Sequence, residues 1–96
     1  MMPPIHPGEI LREEFMKPLG ISINQLARDL RLPVTRMSEI VNERRGVTGD
    51  AALRLARHFD NSVQFWMSLQ KSYDIEVAER SLGETIPRDV RPRHVA

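Results

Sequence analysis

The chain has no cysteine, which excludes disulfide scaffolds, thiolate metal sites and cysteine nucleophiles. Glycine is scarce, five in 96 residues, and none lies in a phosphate-cradling loop. The three histidines, His6, His58 and His94, stand far apart in sequence with no nucleophile–base pattern around them, so neither an enzyme nor a bound cofactor is expected. No stretch approaches the roughly 18 apolar residues of a membrane span, and the opening Met1-Met2-Pro3-Pro4-Ile5-His6 lacks the apolar core of a signal peptide. The expectation is a cytoplasmic protein. β-Branched and aromatic residues nowhere alternate with polar ones over a useful length, which argues against strands. What is there is an ordinary globular composition, 41% hydrophobic and 28% charged, sufficient for one domain with one core.

The net charge of +1 hides a segregation. Between Arg28 and Arg57 seven arginines meet four acids, a net +3, whereas Met1–Ala27 carries −1 and His58–Arg80 carries −2. All the basic residues of the middle segment are arginine, whose planar fork suits phosphate and guanine, although such a surface also serves simply as a solvated face.

Five helices are expected. The first starts at Pro7, with Glu9 in its opening turn, Ile10, Leu11 and Phe15 on its buried stripe, a Glu13–Lys17 pair outside, and Pro18 with Gly20 as its stop. His6 and Glu9 are one turn apart, but two ligands make a weak metal site and helix capping is the better account of His6. Ser22-Ile23-Asn24-Gln25 reads as a capping box opening a second helix with Leu26, Ala27 and Leu30 inward. Pro33 closes that helix off and opens a third, with Met37, Ile40 and Val41 inside and Thr35, Arg36, Ser38, Glu39 and Asn42 outside. Thr48 caps a fourth helix containing Ala52, Leu55, Ala56 and Phe59, and Ser62 caps a fifth running over about 62–81. The domain is therefore drawn over 1–81, and 82–96, rich in Pro and Arg, is expected to be a flexible tail.

Two short helices with a tight turn and small Ala27 between them describe a helix-turn-helix over Ser22–Asn42. In that unit the first turns of the second helix can enter a DNA major groove. Arg36 could then pair with guanine, Glu39 accept from cytosine N4, and Val34 or Thr35 touch a thymine methyl group. Arg44 and Arg45 suit phosphate. The same geometry also occurs in all-α proteins that never touch nucleic acid. Arg31, at a turn position that favours glycine, would be strained there if left-handed.

The blocks His6-Pro7-Gly8-Glu9-Ile10-Leu11, Leu26-Ala27, Ser38-Glu39-Ile40-Val41-Asn42, Arg45-Gly46-Val47-Thr48, Ala52-Leu53-Arg54-Leu55-Ala56 and Phe65-Trp66-Met67-Ser68-Leu69-Gln70 occur in an order and spacing that resembles the HigA family. These are virulence-associated protein I-like antitoxins of the Xre type, and the resemblance covers about Pro4–Glu79. It implies a compact five-helix, lambda-repressor-like DNA-binding domain that forms a homodimer, represses its own operon and neutralises a HigB-like mRNA-cleaving toxin. It places Val34, Thr35, Arg36 and Glu39 at base-reading positions and Gln25, Asn42, Arg44 and Arg45 at positions that hold the DNA backbone. The chain departs from the family pattern at Asn42-Glu43, where Gly often follows Asn, and at Arg31.

On the fifth helix Phe65 and Leu69 are expected in the core, while Trp66, Met67, Tyr73 and Val77 are assigned to a twofold dimer contact. Such a dimer would read an inverted-repeat operator with half-sites about 34 Å apart. Glu9, Glu13 and Glu14 are a candidate dock for a basic toxin. Two alternatives stay open: a stand-alone repressor with no toxin partner, and a protein-interaction module whose basic face meets an acidic protein.

Overall fold

The computed structural model describes residues 2–94. Six helices follow one another, and there is no strand among the described residues. The first helix, α1, spans 7–19. His6 caps it, the Nδ1 atom accepting the Gly8 N–H at 2.8 Å, as the capping reading of that residue required. Its middle turns, Leu11–Met16, are wide, so that the Lys17 N–H reaches back five residues to the Arg12 carbonyl. This widening changes the part that Pro18 plays in the expected stop. Pro18 has no N–H to donate and its ring crowds the carbonyl one turn back in a regular helix. After the opened turns it is taken into the helix, which ends at left-handed Gly20, the other residue of the expected stop.

The remaining elements are α2 (Ile23–Leu30), α3 (Val34–Val41), α4 (Gly49–Phe59), α5 (Val63–Leu82) and α6 (Thr85–Asp89). Ser22, Thr48 and Ser62 each accept a backbone N–H as N-caps. Of the 82–96 segment, residues 95 and 96 lie outside the described residues; within the rest the chain forms the short helix α6.

One core joins the first five helices. Leu11, Leu26, Met37, Ile40, Leu55 and Trp66 are wholly buried, and Phe15, Ile21, Phe59, Val63, Met67 and Leu69 pack around them. Backbones approach closely at one crossing: a side chain at Gly8 would collide with the Ile40 carbonyl oxygen. Glycine there lets α1 lie against the end of α3.

Two expectations for α5 are corrected. Trp66, assigned to a dimer face, is 0% exposed; its indole N–H donates to Asn61 Oδ1 at 2.9 Å and its ring lies 5.1 Å from that of Phe15. Phe65, expected in the core, is 39% exposed. Apolar residues surround this helix on every side, so their spacing alone did not identify the buried stripe; the position facing α1 and α4 did.

Candidate nucleic-acid interface

Local chemistry builds the two-helix unit. Ser22 Oγ accepts the Gln25 N–H at 3.1 Å, whereas the described residues show no return hydrogen bond from the Gln25 side chain. Half of the expected capping box forms, and the Gln25 amide stays exposed in the first turn of α2. The helix ends on Arg31 with φ 58 and ψ 42, the left-handed conformation that costs a non-glycine residue roughly 1–2 kcal/mol. The Leu32 N–H returns to the Ala27 carbonyl at 2.9 Å, closing the cap, and Arg54 Nη1 donates to the Leu30 carbonyl at 2.9 Å. Pro33, extended at φ −59 and ψ 141, then opens α3.

Helix α3 buries Met37, Ile40 and Val41 and turns Val34 and Thr35 to solvent. Val34 is 46% exposed, an apolar side chain displayed at the start of a helix. Glu39 pairs with Arg45, Nη2 to Oε1 at 3.1 Å, bringing together one residue expected to read bases and one expected to meet phosphate. Asn42 Nδ2 donates to the Ser38 carbonyl at 2.9 Å. Arg44 is exposed and free of ion pairs among the described residues.

The Arg36 guanidinium, expected to read guanine, meets two acceptors at the start of α4. Its Nη2 donates to Thr48 Oγ1 at 2.8 Å and its Nη1 is 3.2 Å from Asp50 Oδ2. Asp50 Oδ1 also accepts from Arg54 Nε at 2.8 Å, and these partners, Arg54 foremost, hold the Asp50 carboxyl below its ordinary range. Of the seven arginines in the middle segment, Arg36, Arg45 and Arg54 are therefore engaged with acids.

The C-terminal cap of α3 answers the departure at Asn42-Glu43. Glu43 takes a positive φ of 64, with the Arg44 N–H reaching the Glu39 carbonyl at 2.8 Å. Arg12 of α1 secures the turn, Nη1 donating to the Val41 carbonyl at 2.6 Å and Nη2 to Glu43 at 3.0 Å. Glu43 is the main cause of the raised Arg12 pKa. Gln70 of α5 fixes the following loop by accepting the Val47 N–H at 2.6 Å.

Other predicted residues are scattered. Glu13 is bound by Lys17 at 2.8 Å and by Arg12 at 3.0 Å, which together hold its carboxyl below the usual range; Glu14 is exposed and Glu9 half-buried. Tyr73 packs edge-on against His6 with ring centroids 4.7 Å apart, Met67 is half-buried and Val77 is exposed. The residues missed by sequence reasoning are Arg12, Thr48, Asp50, Arg54 and Gln70. Only the Asp50–Arg54 spacing of one turn signals itself in the sequence; the other pairings span 12 to 31 positions. Ile75 and Leu82 of α5, Ile86 of α6 and Val90 just after it are also exposed. Among the described residues no helix is long and apolar enough to cross a membrane.

No protein-family model matches the chain. It is 47% identical over 97 residues to Virulence-associated protein I of Dichelobacter nodosus, covering 98% of this chain and 90% of that protein. The solved Pseudomonas aeruginosa antitoxin HigA with the higBA promoter superposes with a TM-score of 0.91 at 45% identity, over 95% of this chain and 99% of that one. Antitoxin GraA in complex with its operator superposes with a TM-score of 0.89, also at 45% identity, over 99% and 95%. With sequence and fold matching over almost its full length, the chain belongs to the HigA family of helix-turn-helix antitoxins.

Proposed function

We propose that the chain is a sequence-specific DNA-binding repressor of its own operon and the antitoxin of a type II pair, neutralising a HigB-like mRNA-cleaving toxin. The observation that carries the reading is the solvent-facing first turn of α3, Val34 and Thr35, on a two-helix unit clamped by Arg54 and Arg12. That relatives of the same fold are solved with promoter and operator DNA supports it. Val34 and Thr35 suit thymine methyl groups and Glu39 suits cytosine N4, each good contact contributing ~1–3 kcal/mol of discrimination. Gln25, Asn42, Arg44 and Arg45 hold phosphates in this scheme. The role is one of binding, without a catalytic step or cofactor, and the domain proper ends at residue 81, with 82–96 as an appendage.

A homodimer would set two such helices about one DNA turn apart, on an inverted repeat. We assign its contact to the exposed side of α5 around Val77, with Met67 and Tyr73 at the margin. Val77→Asp should weaken self-association in sedimentation while leaving the melting temperature unchanged.

The direct experiment is binding to the chain's own upstream DNA and to a scrambled duplex at two salt concentrations. A preference of ~10³ or more is expected for the native sequence, and equal, salt-sensitive binding to both would overturn the repressor reading. Arg45→Ala should weaken both duplexes alike and lower the salt slope by ~1. Toxin docking on Glu9, Glu13 and Glu14 predicts that charge reversal at Glu13 and Glu14 weakens the complex. A stand-alone repressor is the second reading, favoured by the neutralisation of Glu13 by Lys17 and Arg12. It predicts no toxic product from the adjacent gene.

A further inference from the structure

One carboxylate joins three helices of the candidate interface. Asp50, in the first turn of α4, takes Arg36 of α3 on Oδ2 at 3.2 Å and Arg54 on Oδ1 at 2.8 Å, and Arg54 in turn caps the last carbonyls of α2. The two arginines are not equally secure. Without Asp50, Arg54 keeps the Leu30 carbonyl at 2.9 Å as acceptor. Arg36 would keep only the neutral Thr48 hydroxyl, while its Nε is already buried without a partner. A desolvated, unpaired donor disfavours the held conformer, and the neutral Thr48 hydroxyl alone does not offset it. The Arg36 side chain, 24% exposed, is thus held by a lock that Asp50 completes.

We propose that Asp50 is a specificity-determining positioning residue: by fastening Arg36 to the start of α4 it keeps that guanidinium off the DNA and leaves discrimination to Val34, Thr35 and Glu39. The inference rests on the DNA-binding role proposed above. A released arginine beside a duplex pairs with any phosphate in reach, adding affinity without sequence information and eroding the ratio of native to non-specific binding. Thr48 assists, since the same hydroxyl that accepts the Ala51 N–H also receives Arg36.

The test is a cycle of Asp50→Asn, Arg36→Gln and the double variant in the full chain, read on native and scrambled duplexes over a salt series and, without DNA, by thermal melting. Asp50→Asn should tighten scrambled-duplex binding about threefold to tenfold and steepen the salt slope by about 0.9, one added phosphate contact. Arg36→Gln should leave the base preference at every operator position intact, and the double variant should return to the parental selectivity. Melting temperatures of the two single variants should combine non-additively, because each removes the same contact.

The proposal is overturned if Asp50→Asn leaves selectivity unchanged. It is also overturned if its gain persists in the double variant, since loss of an acid near phosphate would then suffice. Relaxed preference at one operator position in Arg36→Gln would make Arg36 a direct reader and overturn it from the other side, even if Asp50→Asn fails to fold. Failure of the parent chain to discriminate native DNA would remove the DNA-binding role and the proposal with it; an additive melting cycle would refute the lock alone.

Discussion

Residues of the same kind meet opposite fates in the two ends of the molecule. From His6 to Gln70 most leucines, isoleucines and valines interlock beneath five helices, and Arg12 and Gln70 bridge the helices to named backbone partners. From Asp74 onward α5 and α6 run out as an arm, giving the molecule a 57 Å long axis against 28 and 21 Å, and Ile75, Val77, Leu82, Ile86 and Val90 all face solvent. Hydrophobicity supplies a tendency to be covered; burial needs a neighbouring surface on the same chain. The body has one in α1 and α4; among the described residues the arm meets only the Met2 carbonyl, which accepts from Arg80, and α6, whose Ile86 shares an apolar notch with Ile75. Exposed apolar residues in that number beside a packed body suit a protein partner better than a domain core.

Truncating each region sharpens the contrast. Trp66→Ala removes a fully buried ring with a satisfied N–H and is expected to cost about 3–5 kcal/mol of unfolding free energy. Leu82→Ala in the arm should fall within about 0.5 kcal/mol of the parent at concentrations where the chain is monomeric. Denaturant titration of both measures the difference, and equal losses would mean that the arm is part of the cooperative unit. Gly8→Ala comes next, at about 1–3 kcal/mol, because its methyl group must push α1 away from the Ile40 carbonyl.

Smaller effects probe the caps inside the body. Arg31→Gly should stabilise by about 0.5–1 kcal/mol through relief of its positive φ. Glu43→Gly relieves the same strain but gives up the Arg12 ion pair, so its gain should be smaller. A larger gain at Glu43 in thermal melts would show that the Arg12 bridge contributes nothing.

The smallest effect is a pH dependence at His6. Burial lowers its pKa below the ordinary 6.5, outweighing the carboxylates of Glu43 and Asp74, and the neutral ring is the form that accepts the Gly8 N–H. Below pH 6.5 the unfolded chain therefore binds the proton more readily than the folded one, and stability declines as pH falls from 6.5 through the lowered folded value. His6→Asn retains a short capping acceptor and should flatten that part of the stability profile; an unchanged slope would place the titration elsewhere.

The order of the first five helices, four N-caps, the strained turn at Arg31 and most of the inward-facing residues were legible in the chain because each depends on neighbours within about one helical turn. The exposure of Val34 and Thr35 in the first turn of α3 was legible for the same reason. Three features escaped that reading. Trp66 and Phe65 exchanged places because apolar residues on every side of α5 leave its spacing ambiguous until α1 and α4 select one side. Pro18 entered a helix because the turns before it widened. The Arg36 guanidinium meets Thr48 and Asp50, 12 and 14 residues further on, because folding alone brings these acceptors within reach. Periodicity and capping are short-range and are written in the order of residues, whereas the partner of a long charged side chain and the buried face of an all-round apolar helix are set by which surfaces the packed helices bring together.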